Sequence, residues 1–104
     1  MAEPNPMAVQ HPAPIIEGTA DDHFSAEAAA SGIHITVKPY AGMAGTDTVN
    51  LYLASRLIDD RPAVDPIEFE LTGLGPGSHS VYYIIERDAI YSQPSDPAVF
   101  YVDA

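Results

Sequence analysis

Few residues in this chain have types and spacings that could do chemistry. Glu68 and Glu70 lie two apart, which on a strand places them on one face roughly 6.5–7 Å apart. That separation overlaps the range of paired carboxylates in sugar hydrolysis, but on an outer sheet face such a pair is ordinary solvated surface. Ser78 is followed by His79, yet neighbours on a strand point to opposite faces. Pro76 and Ser80 stand where a Gly-x-Ser-x-Gly elbow needs glycine. Asp21-Asp22, Asp59-Asp60 and Asp65 offer the hard oxygens that calcium prefers. No segment forms an Asp-x-Asp-x-Asp-Gly loop, so Asp59, Asp60 and Asp65 are weak calcium candidates beside a plain solubilising reading. His11, His23, His34 and His79 share no ligand spacing, and exposed surface histidines account for His34 and His79. Gly73-x-Gly75-x-Gly77 has neither the spacing, the following helix nor the Lys of a phosphate loop and reads as a turn. The expectation is a chain with no catalytic residues, no metal and no cofactor.

Composition narrows the partners. The 104 residues suit one domain, and at 46% hydrophobic and 18% charged they suit a folded one. Four Lys plus Arg against 15 Asp plus Glu give a formal charge of −11, which argues against nucleic acid and anionic membrane surfaces. There is no Cys, so neither a disulfide nor a thiolate site is available. No apolar run approaches the length of about 18 that spans a bilayer, so membrane insertion is not expected. Residues 1–10 carry no Lys or Arg and no apolar core, unlike a signal peptide. Localisation stays open between cytoplasm, a domain of a longer protein, and export without a cleaved signal.

The elements follow from apolar spacing. Pro4, Pro6, Pro12 and Pro14 mark residues 1–14 as a flexible Pro-rich leader, with the domain proper expected over 15–104. Ile15-Ile16-Glu17 is a short first strand closed by Gly18. Ala26 to Ala30 favours helix but is too short to stand alone, so a loop or single helical turn is expected. From Gly32 onward the period is two. Ile33, Ile35 and Val37 alternate with His34, Thr36 and Lys38; Val49, Leu51 and Leu53 alternate with Asn50, Tyr52 and Ala54; Ile67, Phe69 and Leu71 alternate with Glu68, Glu70 and Thr72. Ser80 to Arg87 is a strong strand with Val81, Tyr83 and Ile85 inward, Ala98 to Val102 is the last, and a short edge strand fits around Arg56 to Ile58. Six or seven short strands with frequent turns predict an all-β, immunoglobulin-like antiparallel sandwich.

Two segments resemble a known pattern. Gly42-Met43-Ala44-Gly45-Thr46-Asp47-Thr48-Val49-Asn50-Leu51-Tyr52 resembles the start of the third strand of bacterial immunoglobulin-like repeat domains. Gly77-Ser78-His79-Ser80-Val81-Tyr82-Tyr83-Ile84-Ile85-Glu86, followed by Ser92-Gln93-Pro94-Ser95-Asp96-Pro97, resembles their last hairpin. The likeness covers residues 15–103. It implies a non-catalytic structural or protein-interaction module of adhesin or large-repeat type, at the cell surface or secreted when part of a larger protein.

The outward positions are the informative ones. Tyr82 and Ile84 on one strand and Tyr52 on another are not charged, and Val99-Phe100-Tyr101-Val102 is apolar on both sides. A solvent-washed sheet face usually alternates apolar with polar, and an apolar patch marks an interaction site. Tyr52, Tyr82, Ile84 and Phe100 are therefore the interface candidates. Three readings stand side by side: a neighbouring loop or the leader covers the patch; a protein partner or a second copy (a homodimer) docks on it; or glycans stack on the Tyr rings of a carbohydrate-binding module.

Overall fold

The computed structural model describes residues 10–18 and 22–104. One sheet has three strands in the order β1 (Ile15–Ile16), β3 (Ile33–Val37), β6 (Ile67–Leu71). The other runs β2 (His23–Phe24), β9 (Ala98–Val102), β7 (Gly77–Arg87), β4 (Thr48–Leu53), β5 (Arg56–Pro62), with β8 (Ile90–Tyr91) folded back on β7. The two sheets pack as a sandwich, and the fold class is all-β, as the spacing predicts. Helix α1 (Ala26–Ser31) is short. Ser25 caps it by accepting a hydrogen bond from the Ala28 N–H at 3.1 Å.

Register turns the alternating residues into one core. In the first sheet Ile33, Ile35 and Val37 lie opposite Leu71, Phe69 and Ile67. In the second, Val49, Leu51 and Leu53 lie opposite Ile85, Tyr83 and Val81. All of the expected inward residues are buried except Leu53, which is partly buried at the margin. Phe24, Ala29, Ala63, Phe100 and Val102 join them. Burial, then the charge of Asp96, push the Tyr83 phenol up to about 12.

Several details depart from the sequence reading. The sheets are not wholly antiparallel, because β2 pairs with β9 in parallel, His23 beside Tyr101 and Phe24 beside Val102. The edge strand β5 runs on to Pro62 and β7 begins at Gly77. Residues 1–9 of the expected leader lie outside the described residues, as does Asp21. Packing reaches further toward the N-terminus than Ile15. His11 is only 2% exposed, lying edge-on to Tyr40 with ring centres 5.1 Å apart, and its carbonyl accepts from the Asp96 N–H at 3.0 Å. His79, expected on the surface, shares the inward phase of Val81 and stacks on Phe100 at 5.4 Å.

Between β8 and β9 the chain cannot extend the ladder on β7 in the ordinary way, because Pro94 and Pro97 have no N–H. Two buried serines fill in. Ser95 Oγ accepts from the Tyr83 N–H at 3.0 Å and Ser92 Oγ from the Ile85 N–H at 2.9 Å. The Ser95 and Ser92 N–H groups donate back to the Tyr83 and Ile85 carbonyls. Both ends of the β7 segment that carries the core are thus satisfied without a continuous neighbouring strand.

Asp47 ties the loop before β4 to the end of β7. Its carboxylate accepts from Tyr40 Oη at 2.8 Å, the Ala44 N–H at 3.1 Å and Arg87 Nη2 at 2.7 Å. The Arg87 hydrogen bond, aided by those from Tyr40 and Ala44, holds the Asp47 carboxyl below the usual carboxylate range against the opposing effect of burial.

Three predictions follow from these contacts. Ser95→Ala should cost about 1–3 kcal/mol in denaturant unfolding, because the buried Tyr83 N–H loses its acceptor; an unchanged midpoint would contradict the account. A depressed carboxyl contributes stability above the unfolded carboxylate range that is lost as pH falls through the folded value. Asp47→Asn should therefore be less stable than wild type at neutral pH, with the gap closing in acid titration; a gap independent of pH would refute it. The hairpin turns Ala54-Ser55 and Asp88-Ala89 have positive φ at both residues, 50° and 69°, then 51° and 62°, as a type I′ turn requires. Alanine resists that region and glycine does not, so Ala89→Gly should raise stability by about 0.5–1 kcal/mol, read from the shift of the unfolding midpoint.

Candidate interaction surface

Residues with one phase on β4, β7 and β9 point away from the core and form the outer face of the larger sheet. Tyr52 of β4 is the register partner of Tyr82 on β7. Their rings are parallel within 2° at a centroid distance of 5.2 Å. Rings that close and that parallel are offset-stacked, each covering one face of the other. Tyr52 also has Leu57 of β5 as its partner on the far side. One step along, Ile84 lies opposite Asn50. Asn50 is buried although it points outward, and its amide donates to Glu86 Oε1 at 3.4 Å.

The face continues onto β9. Ser80 lies opposite Val99 and Ser78 opposite Tyr101. Small serines on β7 leave these two side chains standing clear, with Val99 53% and Tyr101 45% exposed. The Tyr101 ring stacks on His23 at 5.0 Å, and His23 Nδ1 is 3.1 Å from the Asp103 carboxylate. Leu57, at 51% exposure, extends the apolar surface to the β5 edge. That edge strand itself carries Arg56, Asp59, Asp60 and Arg61, charges that oppose pairing with another strand.

The opposite face has another character. Glu68 and Glu70 of β6 and His34 and Thr36 of β3 point outward there. His34 Nε2 is 3.5 Å from Glu70 Oε2. The acidic pair expected on a water-facing strand is exposed on this side.

Of the four interface candidates, Tyr52, Tyr82 and Ile84 are brought together and half-buried. Phe100 is not with them. It is 1% exposed, set edge-on to Phe24 at 5.8 Å inside the sandwich. On β9 the inward positions are Ala98, Phe100 and Val102, so Val99 and Tyr101 take the outward ones. Sequence reasoning missed those two because a strand apolar on both sides shows no phase of its own. Of the expected leader, Gln10 Nε2 donates to the Pro94 carbonyl at 2.8 Å and to Asp96 Oδ1 at 3.3 Å.

The other candidates are dispersed. Asp59 Oδ1 accepts from the Asp60 N–H at 2.8 Å and from Arg61 Nη1 at 2.7 Å. Asp60 is the next residue on the same strand and points the other way, and Asp65 lies in the connection to β6. Among the described residues no group of three or more His, Asp or Glu gathers in a way that could hold a metal ion. Ser78 points outward while His79 faces inward, its Nε2 2.7 Å from the Gly75 carbonyl.

No family model matches the chain, and no curated protein matches it. Among solved structures it is similar to a fibronectin(III)-like module of CbhA from Clostridium thermocellum, with 17% identity and a TM-score of 0.62, over 86% of this chain and 96% of that one. At that identity the likeness speaks to architecture, and the chain has the fold of a fibronectin(III)-like or immunoglobulin-like β-sandwich module.

Proposed function

We propose that this chain is a non-catalytic structural or protein-interaction module, of the kind that bacterial immunoglobulin-like repeats provide, and that it engages partners through the outer face of its larger sheet. The observation that carries this reading is the contrast between the two outer faces. One presents Tyr52, Tyr82, Ile84, Val99 and Tyr101, the other Glu68, Glu70 and His34. Half-exposed aromatic and aliphatic surface of this kind is characteristic of contact sites. The fibronectin(III)-like fold supports the same reading, since such modules are generally non-catalytic.

The poles of the sandwich suit a spacer as well. Residue 11 lies beside Tyr40 and Asp96, toward the end of the molecule where Asp47 meets Arg87. Asp103 bonds to Phe24 at the opposite end, near the start of β7. Tyr83, whose ring is 6.0 Å from that of His11, lies six positions along β7 from Gly77, so roughly 20 Å of strand separates the two. Tension applied through this stretch of chain would run along the sandwich.

A carbohydrate-binding module draws less support from the rings. A sugar stacks on an aromatic face, and Tyr52 and Tyr82 turn one face each toward the other.

If the outer face serves contacts rather than folding, Tyr82→Ser/Ile84→Lys should melt close to wild type. Phe100→Ser should lose about 3–5 kcal/mol or fail to fold. Thermal unfolding, with light scattering to report oligomeric state, makes the comparison. A double variant as unstable as Phe100→Ser would show that the face belongs to the molecule's own packing and would overturn the reading.

A further inference from the structure

The apolar outer face is bordered by acid, of which Asp103 is paired with His23 and Glu86 accepts from the Asn50 amide. Asp60 lies across β4 beside Asn50, Glu86 follows Ile84 by two positions on β7, and Asp103 follows β9. The chain has four cations to set against 15 acids, and two of them are engaged elsewhere. Arg87 is bound to Asp47 and the Gly42 carbonyl. Arg61 lies over the Phe69 ring at 5.4 Å and bonds Asp59. Lys38 follows β3 in the other sheet. Arg56 stands on β5, at the edge of the larger sheet.

Resting on the interaction-module reading, we infer that this face docks a protein surface with an apolar centre and a lysine- or arginine-rich margin. Two copies of the chain set face to face would bring −11 against −11 and lay acid margin on acid margin. Like charges across an interface disfavour it, whereas complementary ones steer the encounter and fix the register. The apolar centre supplies the affinity through Tyr82 and Ile84, and the acidic border supplies selectivity and speed of association.

The probe is a synthetic peptide of alternating lysine and leucine, with a lysine–serine peptide as control, titrated into the full chain and followed by amide chemical shifts and by calorimetry. Shifts should cluster on β4, β7 and β9. Tyr82→Ser/Ile84→Ser should weaken binding about tenfold. Asp60→Asn/Glu86→Gln should weaken it several-fold and flatten its salt dependence, and Glu68→Gln/Glu70→Gln on the opposite face should leave it within about twofold. Three results would overturn the inference: equal binding of the lysine–serine peptide, an opposite-face variant as damaging as the margin variant, or a wild type that light scattering shows to be a dimer dissociated by Tyr82→Ser/Ile84→Ser. The wild-type shift map does not depend on any variant folding. If the peptide fails to bind while Tyr82→Ser/Ile84→Lys still melts like wild type, this partner assignment falls and the module reading stands. If that variant unfolds, the module reading itself falls.

Discussion

Strand β7 is the member on which both sides of the larger sheet depend. Its inward residues Val81, Tyr83 and Ile85 are fully buried, and they are held opposite Leu53, Leu51 and Val49 of β4. Because side chains on a strand change sides at each step, fixing those three in the core also fixes Ser80, Tyr82 and Ile84 on the surface. A slip of one residue would put Ser80 where Val81 packs or, in the other direction, Glu86 where Ile85 packs. The core therefore enforces the surface: Tyr82 meets Tyr52 because Tyr83 meets Leu51.

The remaining features keep that register in place without a disulfide or metal. Ser92 and Ser95 satisfy the β7 backbone across a stretch where prolines interrupt its neighbour. Asp47 clamps the end of β7 through Arg87 and at the same time holds Tyr40. Burial and the Asp47 hydrogen bond raise the Tyr40 pKa, and Tyr83 is raised as well. Raised phenols contribute stability below the unfolded tyrosine range that is lost as pH climbs through their folded values. Asp47 thus contributes stability that acid removes, and the two phenols contribute stability that alkali removes.

Legibility in the sequence followed the contrast between the two sides of each strand. Ile33–Val37 and Ile67–Leu71 set apolar against polar residues, so their inward phase could be read directly. Strand β9 could not be read that way. Val99, Phe100, Tyr101 and Val102 are all apolar, and only pairing with β7, Val81 beside Ala98, selects Phe100 for the core. Strand phase therefore puts Tyr52, Tyr82 and Ile84 on the outer face, where they lie, but does not tell that Phe100 belongs to the core. Strand β2 is two residues long and is held by backbone bonds to β9, Tyr101 N–H to the Asp22 carbonyl and Asp103 N–H to that of Phe24, which leave no mark in local composition. The turns Ala54-Ser55 and Asp88-Ala89 lack the Asn or Gly that usually announces a two-residue hairpin, so tertiary pairing, not propensity, imposes them.

The most direct measurement compares two adjacent isoleucines of β7 by denaturant unfolding. Ile85 lies in the core and Ile84 on the outer face. Ile85→Ala should cost about 2–5 kcal/mol, and Ile84→Ala no more than about 1.5 kcal/mol. Equal losses, or a larger loss at Ile84, would contradict the assignment of one side of β7 to the core and the other to the outer face.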